Sequence, residues 1–88
     1  MSMPVAQCGK AVLLTGTAAV TAGPCQLLGF YVNNTTSGTL VLDDGGVALD
    51  GTITPLIGWH RFPADIGTSL GATIANSLNV TFFVASAN

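Results

Sequence analysis

The stretch from Gly29 to Gly46 most constrains what this chain can become. Phe30, Tyr31 and Val32 carry aromatic and β-branched side chains that suit a pleated surface. Asn33 to Gly38 then supplies only turn formers, and Leu40 and Leu42 alternate with Thr39, Val41 and Asp43 at a period of two. Asp43-Asp44-Gly45-Gly46 closes the run with residues that tolerate positive φ. The pattern predicts a β-hairpin turning at 33–38, followed by a second tight turn.

The same period recurs along the chain. Ala11 to Thr15 and Thr17 to Thr21 read as strands, or as one strand bent at Gly16, with Val12, Leu14, Ala18 and Val20 toward the core. In the strand from Cys25 to Asn34, strict alternation places Leu28, Phe30 and Val32 on one face and Leu27, Gly29, Tyr31 and Asn33 on the other. Gly29 in mid-strand predicts a bulge or a close backbone approach. Asp50-Gly51 reads as a hairpin turn, with Pro55 making the returning 52–57 segment an edge or bulged strand. Gly58 to Asp65 reads as a loop whose Trp59 and Phe62 cap one end of the core. Gly71 to Ala75 and Asn79 to Ala85 form a last hairpin around Asn76-Ser77, with Leu78, Val80, Phe82 and Val84 inward and Phe83 outward. No helical period occurs. The expectation is an all-β fold, a small antiparallel β-sandwich or jelly-roll-like barrel of about seven to eight short strands. An extended N-terminal arm over 1–10 precedes a single domain over 11–88.

Composition bears on function. Charged residues make up 7% of the 88 residues, against roughly 25% in ordinary soluble domains. A surface this poor in charge is Thr, Ser, Asn, Gly and Ala, or is covered by partners. The net charge of −2 argues against a nucleic-acid groove, which needs clustered Lys and Arg. No apolar run approaches the length of a membrane-spanning helix, and the N-terminus lacks the pattern of a secretory signal, which predicts synthesis in the cytosol. There Cys8 and Cys25 are expected as buried thiols rather than a bridge.

No constellation of catalytic groups stands out, and the reading is of a non-enzyme without cofactor or metal. Asp43, Asp44 and Asp50 could hold calcium, but lack the full ligand spacing and read first as a plain turn. His60 with Asp65 could act as a base, yet no nucleophile motif accompanies them, so His60 reads as hydrogen-bonded to a backbone carbonyl or a neighbouring subunit. Arg61 and Asp65 could pair, worth about 0–1 kcal/mol if exposed. Trp59, Tyr31 and Phe83 could form a sugar-stacking platform, with Trp59 in the core as the competing reading.

The segments Gly29–Asn34, Ser37–Gly46, Asp50–Thr54, Gly58–Asp65, Ser69–Ala75 and Leu78–Val84 together resemble small β-sandwich virion proteins of tailed bacteriophages, of the capsid decoration, cement or head-spike and fibre-base kind. The resemblance covers roughly 27–84 and consists of strand and turn types without a site motif. It implies a structural protein on the capsid surface, made in the host bacterial cytoplasm. It also implies a homo-oligomer, often a trimer, whose partners are itself and the major capsid protein or another virion protein. A head-spike base, fibre or tail component is the alternative within that class, and a carbohydrate-binding module the alternative outside it. Expected subunit contacts are Tyr31, Trp59, His60, Arg61, Phe62 and Phe83, with Met3, Pro4 and Val5 of the arm against the capsid.

Overall fold

The computed structural model describes residues 10–86. Six strands follow in order: β1 (Lys10–Leu14), β2 (Ala18–Ala19), β3 (Cys25–Asp44), β4 (Val47–Ala48), β5 (Gly58–Ile66) and β6 (Leu70–Ser86). All belong to one antiparallel sheet in which β3 and β6 lie side by side along their whole lengths. On the outer side of β6, β1 pairs with 80–84 and β2 with 71–72. On the outer side of β3, β5 pairs with 25–32, while β4 pairs with 43–44 and Ile53 bridges Leu40.

This sheet is folded back on itself. Flat, the 20 residues of β3 would span about 66 Å, but the longest dimension of the molecule is 43 Å. The ends of β3 are moreover tied to residues four apart, since Cys25 pairs with Ile66 and Asp44 with Leu70. Four residues reach at most about 14 Å, so β3 must double over. The bend falls where Thr36 and Ser37 both oppose Ser77, and where Ser37 (φ 55°) and Asn76 (φ 62°) are left-handed. Asn76 Nδ2 donates to the Ser37 carbonyl at 2.9 Å, fastening the two corners together. β1 and β2 turn the same corner at 15–17, where the Thr17 hydroxyl accepts from Ile74 N–H and donates to Ile74 C=O in place of a backbone partner. The result is all-β and sandwich-like.

Three expectations are corrected here. The turn formers at 33–38 and at 76–77 do not close hairpins but bend two long strands, which is why six strands stand where more and shorter ones were expected. Asp50-Gly51 makes no hairpin either; 47–53 continues along β3, with Asp50 Oδ1 accepting from Leu42 N–H at 3.1 Å across the gap in the ladder. Lys10, assigned to the arm, already pairs with Val84, and the arm residues before it lie outside the described residues.

One apolar cluster joins both halves of the bent strands: Cys25, Leu27, Phe30 and Val32 with Leu40 and Leu42 of β3, and Leu70, Ala72 and Ile74 with Leu78, Val80, Phe82 and Val84 of β6. Each such Leu, Val or Phe contributes about 1.5–3 kcal/mol on burial. Both Leu27 and Phe30 point inward because Leu28 is bulged out of register, so the expected faces of 25–28 are exchanged. Ala18, expected inside, is exposed, while Val12 and Leu14 pack on the core from its edge. The turn after β3 is as expected: Gly45 (φ 60°) and Gly46 (φ 95°) occupy the two positions of a hairpin loop that only glycine, Asn or Asp enters readily.

Candidate functional site

The outer face of the β1–β6–β3–β5 half carries the most unusual surface. β5 alternates strictly: His60, Phe62, Ala64 and Ile66 turn inward, and Trp59, Arg61, Pro63 and Asp65 turn outward. Gly58–Asp65 is therefore a strand, not a loop, and Trp59 does not cap the core. It is 51% exposed, directly opposite Tyr31, which is 43% exposed. The indole reaches diagonally across β3 and lies over Gly29: a Cβ there would sit 2.7 Å from its Cη2 and 2.8 Å from its Cζ2. Beyond Gly29 the ring meets Phe83 edge-on, with centroids 5.5 Å apart. Gly29 shows both expected features, the register shift beside it and the close approach above it.

Polar groups flank these rings. At one end Asn33 Nδ2 donates to Asn79 Oδ1 at 3.0 Å and to Thr81 Oγ1 at 2.9 Å. Thr81 is the register partner of Tyr31, so this cluster borders the rings. At the other end, beyond Arg61, Gln26 Nε2 donates to Asp65 Oδ1 at 3.1 Å. Arg61 and Asp65 stand four residues apart along one strand, about 13 Å, and the ion pair weighed for them does not form.

Phe62 and His60, named among the expected subunit contacts, turn toward the core, and His60 makes the hydrogen bond to a backbone carbonyl that was its first reading. His60 stacks on Phe30 with centroids 5.2 Å apart, and its Nε2–H donates to the Leu56 carbonyl at 2.7 Å. Phe62 packs against the cluster that includes Phe30. Asp65 is on the opposite face of the strand and cannot orient His60. Met3, Pro4 and Val5 lie outside the described residues.

The acidic turn holds backbone. Asp44 accepts from Gly67 N–H at 3.0 Å, Thr68 N–H at 2.9 Å and Ser69 N–H at 3.3 Å, fastening the β5–β6 connection to the end of β3. These bonds, led by those from Gly67 and Thr68, hold its carboxyl below the usual value against a smaller opposing effect of desolvation. Asp43 Oδ1 accepts from Gly46 N–H within the turn. Among the described residues no three metal-ligating side chains converge.

A second exposed apolar surface escaped the sequence reading. Along the edge beside β3, Val47 is 70% exposed, Leu56 76% and Ile57 60%, and Leu49 joins them. Leu13 and Leu28 extend the apolar surface of the aromatic side. A sequence signal existed for Trp59, since period two places it with Arg61 and Asp65. None existed for Leu56 and Ile57, which precede β5 outside any ladder. No family model, curated protein or solved structure matches this chain.

Proposed function

We propose that this chain is a non-enzymatic structural protein of a phage particle, a decoration or cement protein that seats on the capsid surface as a homo-oligomer. The observation that carries the reading is the concentration of large exposed apolar side chains at 47–57, on a chain with 7% charged residues. Large apolar side chains left exposed along one sheet edge mark a protein contact, and Val47, Leu49, Leu56 and Ile57 are the residues assigned to it. The likeness of strand and turn types to small virion proteins supplies the particle. The mechanism is additive: many copies of a modest apolar contact bridge neighbouring capsomers and resist expansion from packaged DNA.

Cosedimentation with virions of the encoding phage tests this. The chain is expected in the particle fraction at many copies, and the double variant Leu56→Asp/Ile57→Asp in the supernatant. Absence of the wild-type chain from the particles refutes the proposal.

A further inference from the structure

The geometry points to a glycan-binding platform on the outer sheet face, formed by Trp59 and Tyr31 and bordered by Asn33, Asn79 and Thr81, that takes β-1,4-linked pyranose chains. It uses other side chains than the contact assigned to Val47, Leu49, Leu56 and Ile57, and it stands independently of the particle reading.

Three features carry it. The first is the placement of the rings. Trp59 is the chain's only Trp, yet it is not used to fill the core: it lies on the sheet surface over a residue that has no side chain, braced by Phe83. Tyr31 stands beside it as a direct cross-strand pair, so the rings share one face within about 5.5 Å of backbone spacing. The bracing restricts the indole before any ligand arrives, which reduces the ordering cost of binding.

The second is the polar border. Asn33 uses its N–H groups on Asn79 and Thr81. That pairing does not use the Asn33 carbonyl, the Asn79 N–H groups or the Thr81 hydroxyl proton, which remain for an outside partner. Donors and acceptors next to an aromatic surface match a pyranose ring, whose C–H face is apolar and whose rim is hydroxyl. An apolar protein surface would leave those amides desolvated and unpaired, at a cost of about 1–3 kcal/mol per group.

The third is shape. The platform is a sheet face with rings at its centre, exposed Leu13 beside Thr81 and Leu28 before Gly29 at its margins, and polar groups at both ends, Asn33, Asn79 and Thr81 at one and Gln26 and Asp65 at the other. Equatorial β-1,4 linkages keep successive rings in an extended ribbon that presents such C–H faces to a flat surface. The face of the aromatic rings is negative and attracts the polarised C–H groups.

Fluorescence titration with cellohexaose and with chitohexaose reads the site through Trp59 itself. The expected result is a saturable change in Trp59 emission with at least one of them, half-complete at about 1 mM or below. A response to chitohexaose alone assigns N-acetyl recognition to the Asn33–Asn79 amides; a response to both assigns binding to the shared ring face. Calorimetry on Trp59→Ala and Tyr31→Ala is expected to show affinity weakened about tenfold or more. Because either variant could misfold, backbone-amide shifts of the wild-type chain provide the parallel test: they are expected to change around 31, 59 and 79–83 and not around 47–49. No saturable response to either hexasaccharide, or shifts confined to another surface, overturns the proposal. Neither result bears on cosedimentation with particles, so the two readings fail separately.

Discussion

Replacing Gly29 by Ala tests the placement of Trp59. A Cβ at 29 would meet the His60 carbonyl oxygen at 2.5 Å and the indole carbons at 2.7 and 2.8 Å. The two clashes differ in kind. The carbonyl belongs to the β3–β5 ladder and yields only if the strands part locally, an overpacking strain of about 1–3 kcal/mol. The indole is a side chain and can swing away, losing its edge contact with Phe83, worth about 0.5–1.5 kcal/mol. Together these predict a loss of roughly 2–4 kcal/mol. For a domain of this size each kcal/mol moves the midpoint by about 4–8 °C, so thermal unfolding should begin roughly 10–25 °C lower. Circular dichroism measures the loss, and emission from Trp59 in the native state should shift to the red as the ring moves into water. The decisive comparison is Gly29→Ala in a Trp59→Ala background, where only the carbonyl clash remains and the cost should fall to about 1–3 kcal/mol. An unchanged midpoint for the single variant, or an equal loss in both backgrounds, would refute the placement of the indole over Gly29.

Other expectations follow from the corners, the core and the acidic turn. Ser37→Gly should stabilise the chain by about 0.5–1 kcal/mol in denaturant unfolding, because a left-handed φ strains Ser and not Gly. Asn76→Gly should destabilise it, since Asn tolerates that φ and its amide bonds the Ser37 carbonyl. Phe82→Ala, fully buried and packed on Phe30, should cost about 3–5 kcal/mol and leave the chain largely unfolded by far-UV circular dichroism, whereas Leu56→Ala should stay within about 0.5 kcal/mol. The Gly67 and Thr68 N–H groups hold the Asp44 carboxyl below its ordinary value, so its contribution is present above that value and is lost as pH falls through the lower folded one. Urea midpoints should therefore drop on acidification below about pH 4 by more in the wild type than in Asp44→Asn.

Much of this was legible from local chemistry. The alternation of Leu78, Val80, Phe82 and Val84, the inward Phe30, Val32, Leu40 and Leu42, and the Gly45-Gly46 turn are properties of a few neighbouring residues, and periodicity reads them. The bent strands were not legible in the same way. Asn33–Gly38 has the composition of a hairpin loop, and a corner in a continuous strand needs the same residues for the same reason, tolerance of unusual φ. What separates the two is the partner: Thr36 and Ser37 lie opposite Ser77, so two clusters of turn formers meet across β3 and β6. That is a long-range relation, visible in sequence only to a reader who pairs the clusters first. Leu28 shows the other limit, because one bulged residue exchanges the faces of everything before it. Trp59 was misplaced for a different reason. Its size argued for the core, whereas its phase with Arg61 and Asp65 argued for the surface, and phase prevailed because β5 is a regular edge strand.

Lys10 and Ser86, the first and last described residues, lie close together, and this adjacency carries a mechanical consequence. Lys10 enters β1 beside Val84, two residues before β6 ends, and β1 is an edge strand held on one side only. Tension applied between Lys10 and Ser86 would load the β1–β6 hydrogen bonds one after another from that end, peeling β1 away as a zipper opens rather than shearing the ladder as a whole. The doubled β3–β6 pair would carry little of that load until the peel was complete. A copy tethered through these two positions would yield early and locally with most of its core intact, and could close again when the tension fell.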